Sequence, residues 1–138
     1  MSVYNVLIRK QECKMAKILI AEDEIAVRTF ICRALKLRGH DTLGVADGGA
    51  AIVELEKGQY DLLLTDIIMP VMDGISLALK VTAEYPTLPI LMMTGFVHER
   101  QRAHNMGSLI HNVISKPFSL DEICLAVDNV LNAKHQIH

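Results

Sequence analysis

Five times along this chain a strand-length run rich in aliphatic residues gives way to a stretch with helical spacing, and that repeated alternation leaves few folds open. The runs are Lys17–Ala21 (KILIA), Asp41–Ala46 (DTLGVA), Tyr60–Thr65 (YDLLLT), Ile90–Met93 (ILMM) and Leu109–Ser115 (LIHNVIS). The unbroken Leu62, Leu63, Leu64 is what a strand covered on both faces requires. After the first run, Val27, Ile31, Ala34 and Leu35 recur at helical spacing over Ile25 to Arg38, and Gly39 offers a stop where a left-handed residue costs little. Gly48-Gly49 reads as a turn before a short helix over Ala50 to Lys57, which Gly58 closes. Pro70 and Gly74 are turn signals before a helix over Ile75 to Glu84, ended by Pro86 and Pro89. Val97 to Met106 is a more polar helical stretch stopped by Gly107, and Ser119 begins a last helix with Leu120, Ile123, Cys124, Val127, Val130 and Leu131 as its stripe. Strands joined through helices run parallel with right-handed crossovers, so the expectation is a doubly wound α/β domain with five strands and five helices. Such sheets place ligands at the carboxyl ends of their strands.

A chain of 138 residues suits one domain, and a globule of that size buries roughly 68% of its unfolded surface. Only 4% of residues are aromatic against 51% hydrophobic overall, so the core is aliphatic, with Met69, Met72, Met92 and Met93 as gap fillers. A net charge of -2 gives no general field to draw in a polyanion, and nucleic acid is not an expected partner. Cys13, Cys32 and Cys124 are odd in number, well separated and free of any C-x-x-C pair, which fits reduced thiols of a cytoplasmic protein. No stretch reaches the ~20 apolar residues of a membrane span. Residues 1 to 16 fit no part of the alternation and read as a loose extension or a mis-assigned start, leaving 17 to 134 as the domain.

The chemistry lies where the strands end: Glu22 and Asp23 after the first, Asp66 just beyond the third, Thr94 after the fourth and Lys116 after the fifth. Three carboxylates in one cleft repel one another, so at least one should have a raised pKa unless a hard divalent cation compensates. Mg²⁺ takes oxygen ligands and keeps positions for water or a phosphoryl oxygen, with Asp23 and Asp66 as the expected direct ligands. A carboxylate is also a nucleophile able to form an aspartyl-phosphate, and a fixed ammonium would neutralise the phosphoryl charge. Asp66 is the expected nucleophile and Lys116 the ammonium. A cis bond before Pro117 could aim Lys116 into the cleft, although the sequence leaves that isomer open.

The segments AEDE at 21–24, LLTDIIMPVMDG at 63–74, TG at 94–95 and KPF at 116–118 resemble the receiver domains of response regulators, over about residues 17 to 131. The resemblance implies a flavodoxin-like, CheY-like strand order of 2-1-3-4-5. It implies Asp66 as phosphoacceptor, Glu22 and Asp23 as the acidic metal pair, the Ile68 backbone carbonyl as a further Mg²⁺ ligand, Thr94 as switch hydroxyl and Lys116 as phosphate partner. Many receivers carry a Tyr or Phe three residues before the Lys; here it is Val113, so Phe96 on the adjoining loop becomes the candidate switch ring. Ile68 and Phe96 also flank the expected path of a hydrolytic water, which implies slow self-dephosphorylation.

Among stand-alone receivers, the TDIIMPVMDG, TGF and VISKPF runs look most like the CpdR type. That likeness implies an adaptor for the ClpXP protease in the cell cycle, active when unphosphorylated and supplied with phosphate by a histidine kinase through a histidine phosphotransferase. The competing partner class is chemotaxis or a phosphorelay intermediate. An aspartate-based phosphatase would want a second Asp where Ile68 stands, a flavin site would repel its phosphate through Glu22 to Glu24, and with 22 residues after Lys116 no output domain is expected. Blander readings compete with each motif: Glu22 to Glu24 as an anionic helix start, Asp73-Gly74 as a turn, and His98, His104 and His111 as solvent-facing polar side chains rather than metal ligands.

Overall fold

The computed structural model describes residues 15–95 and 112–136. Five parallel strands form one sheet in the order β2-β1-β3-β4-β5: β1 is Lys17–Ala21, β2 Asp41–Val45, β3 Leu62–Asp66, β4 Ile90–Thr94 and β5 Asn112–Ser115. The helices among the described residues are α1 (Ile25–Leu37), α2 (Gly48–Lys57), α3 (Gly74–Glu84) and α4 (Leu120–Gln136). The expected helix over 97–106 and the start of the fifth run at 109–111 lie outside the described residues, as do residues 1–14.

Alternation along the central strands splits the core in two. Ile18, Ile20, Leu62, Leu64, Leu91 and Met93 pack beneath α1 and α4. Leu19, Ala21, Leu63, Ile67, Ile90 and Met92 pack beneath α2 and α3. Both faces of β3 and β4 are therefore buried, as the aliphatic runs require. Register locks the strand ends together: Ala21 pairs with Thr65, Asp66 with Met93, and Thr94 with Ser115.

Several boundaries differ from the sequence reading, among them the end of β4, which includes Thr94 as its last residue rather than stopping at Met93. Gly48-Gly49 is not a free turn but the first turn of α2, because the Asp47 carboxylate accepts from the Ala50 N–H at 2.7 Å and caps it. Asp73 likewise does more than turn the chain, since its side chain caps α3 by accepting from the Ser76 N–H at 2.8 Å. The third strand starts at Leu62 rather than Tyr60 and ends on Asp66, which is its last residue and not the one beyond it. At α4 the Ser119 Oγ accepts from the Glu122 N–H at 3.1 Å while Glu122 Oε1 accepts from the Ser119 N–H at 2.8 Å, a reciprocal capping box. Gly39 has φ +94°, the left-handed stop expected after α1.

Candidate functional site

Every strand-end residue singled out in the sequence falls at the carboxyl edge of the sheet. Glu22 follows β1 with its amide N–H donating to the Val45 carbonyl at 3.0 Å, which continues the ladder one residue past the strand. Its side chain is buried, unlike that of Asp23, which is exposed. One carboxylate oxygen from each of Glu22, Asp23 and Asp66 lies within 4.8 Å of the others. The anionic-helix-start reading does not account for Glu22, whose side chain is turned inward, whereas Glu24 stands at the N-cap of α1 without a side-chain cap hydrogen bond.

Lys116 reaches into this cluster from the end of β5. Its Nζ donates to Glu22 Oε1 at 2.7 Å and stands 3.2 Å from Asp66 Oδ2. The peptide between Lys116 and Pro117 is cis, and the Lys116 amide N–H donates to the Thr94 carbonyl at 2.7 Å, tying the fourth and fifth strand ends together. Glu22 Oε2 accepts from the Glu24 N–H at 3.1 Å, and Asp66 Oδ1 accepts from the Ile67 N–H at 2.9 Å. Each buried carboxylate is thus held at both oxygens.

The electrostatics follow from burial set against too few cations. Asp66 is pushed above the usual carboxylate range by burial first and by the Asp23 charge last, against the opposing pull of Lys116 and the Ile67 N–H. Glu22 is raised in the same way, burial leading and the Asp66 charge adding to it. Burial alone would lower Lys116, but its contacts with Glu22 and Asp66 outweigh that and raise it. The sequence argument anticipated the direction and named the wrong leading cause: burial, not repulsion, weighs most.

Thr94 is fully buried, and its Oγ1 has no hydrogen-bond partner among the described residues. Ile68, two residues past Asp66, is 55% exposed at the rim. Val113 is half-buried against the core beneath α2 and α3. Phe96 and the histidines at 98, 104 and 111 lie outside the described residues. Beside Lys116 an apolar groove of about 490 Å³ opens between Val27, Phe30, Pro117 and Phe118.

Sequence reasoning missed two residues that support this pocket. Arg28, on the first turns of α1, donates from Nη1 to the Glu22 carbonyl at 2.7 Å. Its stem lies over Gly44 of β2, where a Cβ would come within 2.9 Å of Arg28 Cγ. A lone Arg on an amphipathic helix and a Gly inside a strand carry no signal that joins them.

An open parallel sheet whose first, third and fifth strands deliver two buried carboxylates and a lysine to one pocket defines the CheY-like class of doubly wound domains. The chain belongs to the response regulator receiver domain family, whose pattern matches residues 18–128, and so to two-component signalling. It is 36% identical over 119 residues to the response regulator receiver protein CpdR of Brucella abortus, a match covering 86% of this chain and 99% of that one. It is 31% identical to the transcriptional regulatory protein TcrA of Mycobacterium tuberculosis over 78% of its own length, but spans only 42% of TcrA. Among solved structures it is similar to the chemotaxis response regulator CheY4 of Vibrio cholerae, with a TM-score of 0.77 at 28% identity, covering 85% of this chain and 99% of that one. Among the described residues no helix is long and apolar enough to cross a membrane.

Proposed function

We propose that this chain is a phosphorylation switch in which Asp66 accepts a phosphoryl group and the change of charge alters contacts with other proteins. The observation that carries the reading is the position of Lys116 Nζ between Glu22 and Asp66, at 2.7 and 3.2 Å, inside a cluster of three carboxylates. An ionised Asp66 Oδ attacks the phosphorus of a phosphohistidine or acyl phosphate, the bond to the leaving group breaks, and the leaving group departs with its electron pair. Lys116 remains as the fixed cation that can move from carboxylate to phosphoryl oxygen. The Thr94 hydroxyl, buried and without a partner among the described residues, is a donor that a phosphoryl oxygen could satisfy, which supports its role as the switch.

An all-oxygen donor set with two buried, raised carboxylates fits a hard divalent cation. Glu22, Asp23, Asp66 and the Ile68 carbonyl would hold Mg²⁺, which when bound supplies positive charge to the ligand carboxylates and to phosphoryl oxygens. Receiver domains of this family take their phosphate from histidine kinases or histidine phosphotransferases, and a donor of that kind is the expected partner here. The test is labelling by a small phosphodonor with Mg²⁺, with Asp66→Asn as control: label retained by the variant would refute the assignment.

The likeness to CpdR over nearly that protein's whole length supports an adaptor role of the kind expected from the sequence, with ClpX of the ClpXP protease as effector. The similarity to a chemotaxis regulator supports the alternative, in which the phospho-form is the binding species. A pull-down with wild type and Asp66→Ala separates them. Retention of ClpX by the variant favours the adaptor; retention of partner by the phospho-form alone favours the chemotaxis or relay reading.

A further inference from the structure

Glu22 is the hub of the pocket, because it holds Lys116 through Oε1 and the Glu24 N–H through Oε2 and is followed directly by Asp23. Its side chain is fixed only as well as its own backbone, and that backbone carbonyl has a dedicated charged partner in Arg28 Nη1 at 2.7 Å. A guanidinium can be spent on one carbonyl in this way only if its stem is delivered at the right height. The stem is delivered by a gap in β2: a Cβ at Gly44 would meet Arg28 Cγ at 2.9 Å, Arg28 Cδ at 3.0 Å and Cys32 Sγ at 3.2 Å. Those are the near part of the side chain, not its flexible tip, so they cannot be moved aside without withdrawing the guanidinium.

We infer that Arg28, seated on Gly44, is a positioning residue for the acidic loop: it fixes the Glu22 carbonyl and thereby sets how Glu22 and Asp23 are presented to a divalent cation and to Asp66. The inference deepens the proposed function and rests on it. Gly44 is the remote half of the device, since it lies on the edge strand, where the atoms nearest a Cβ belong to Arg28 and Cys32.

The experiment titrates the protein with Mg²⁺ alone, followed by amide NMR and by calorimetry, in wild type, Arg28→Met, Arg28→Lys, Gly44→Ala and the Arg28→Met/Gly44→Ala pair. Methionine keeps an apolar stem over Gly44 and removes the guanidinium, so a residue that merely packs would leave Mg²⁺ binding unchanged. The expected result is Mg²⁺ affinity about tenfold weaker in Arg28→Met, the scale on which partners of metal ligands act. Gly44→Ala should reproduce that loss, the double variant should be no worse than either single one, and Arg28→Lys should recover part of it. Before any Mg²⁺ is added, the Glu24 amide proton should move upfield in Arg28→Met and Gly44→Ala as its bond to Glu22 loosens. Unchanged affinity and an unmoved Glu24 amide in folded Arg28→Met would overturn the inference while leaving the proposed function intact. Failure of wild type to bind Mg²⁺, or binding unaffected by Asp23→Asn, would sink both. If Gly44→Ala unfolds, the comparison of methionine with lysine at position 28 still decides.

Discussion

Replacing Asp66, the proposed phosphoacceptor, should make this protein more stable in the absence of divalent cations. In Asp66→Asn the pocket loses one negative charge but keeps the shape of the side chain. At an effective dielectric near 20, two repulsions across at most 4.8 Å cost about 3.5 kcal/mol each, and the attraction to Lys116 at 3.2 Å returns about 5 kcal/mol. Solvent around the exposed Asp23 weakens its share, while the cost of burying the Asp66 carboxylate, which is 8% exposed, adds to the unfavourable side. The balance is a gain of roughly 1 kcal/mol for the variant, or about 3–5 °C in Tm for a domain of this size.

The sign with pH follows from the raised pKa values of Asp66 and Glu22. A raised carboxylate binds its proton more tightly in the folded state, so the native state is penalised as pH climbs through the folded pKa. The advantage of Asp66→Asn should therefore be absent below about pH 3.9, where both states are protonated, and should grow to its full size toward neutrality. Added Mg²⁺ should reverse the order. At ten times its Kd a ligand that binds only the folded state contributes about 1.4 kcal/mol to wild type, and the variant, short of one ligand, should gain far less. Differential scanning calorimetry from acid to neutral pH, with and without Mg²⁺, reads both effects. A variant no more stable than wild type without cation, or one that gains as much from Mg²⁺, would refute the reasoning.

His40 is buried, its Nδ1 accepts from the Ala16 N–H at 3.1 Å, and burial lowers its pKa against the pull of Asp128. Its contribution is complete above the unfolded value of about 6.5 and is lost as pH falls toward the folded one, so the stability gap between wild type and His40→Gln should close on acidification in urea titrations. A Cβ at Gly74 would collide with the Asp66 carbonyl oxygen and come within 2.9 Å of Ile67 Cα, so Gly74→Ala should cost about 1–3 kcal/mol by urea denaturation. Thr94→Val should accept phosphate yet switch its partner incompletely, read as phospho-dependent binding in the pull-down. With the Ile68 side chain at the rim, the phospho-form should decay slowly in a phosphate-release assay; decay within seconds would contradict this.

The fold was legible because each signal was local. Leu62 to Leu64 demanded a strand covered on both faces, Gly39 took the left-handed stop, and Ser119 marked a helix start. The acidic and basic strand ends were legible because the topology alone brings Glu22, Asp66 and Lys116 together. Gly48 was misread since a Gly-Gly pair favours a turn, and only the cap from Asp47 and the close approach of Met72 to Gly48 put it inside a helix. The Arg28 contact was illegible for a different reason. It depends on a missing Cβ in β2 and a carbonyl after β1, and no spacing rule connects positions 28 and 44.

Under the proposed function, the pocket explains why one lysine and one threonine are enough to drive a switch. Lys116 already holds two carboxylates, and its shorter contact is to Glu22, not to the phosphoacceptor. A phosphoryl group on Asp66 brings a charge of about -1.5 to -2 and three strong acceptor oxygens to that same ammonium. It also offers an acceptor to the buried Thr94 hydroxyl, which has none among the described residues. Two charge-assisted hydrogen bonds at about 1.5–3 kcal/mol each total about 3–6 kcal/mol, which reaches the ~5.5 kcal/mol needed to carry a population from 1% to 99% only when both are near their upper values. One such bond moves it by a factor of only about 10–150, short of that range. Both donors must therefore act together, and they are mechanically joined, since the Lys116 N–H is bonded to the Thr94 carbonyl at 2.7 Å. Under that reading, movement of either strand end toward the phosphoryl group would draw the other with it through this backbone bond.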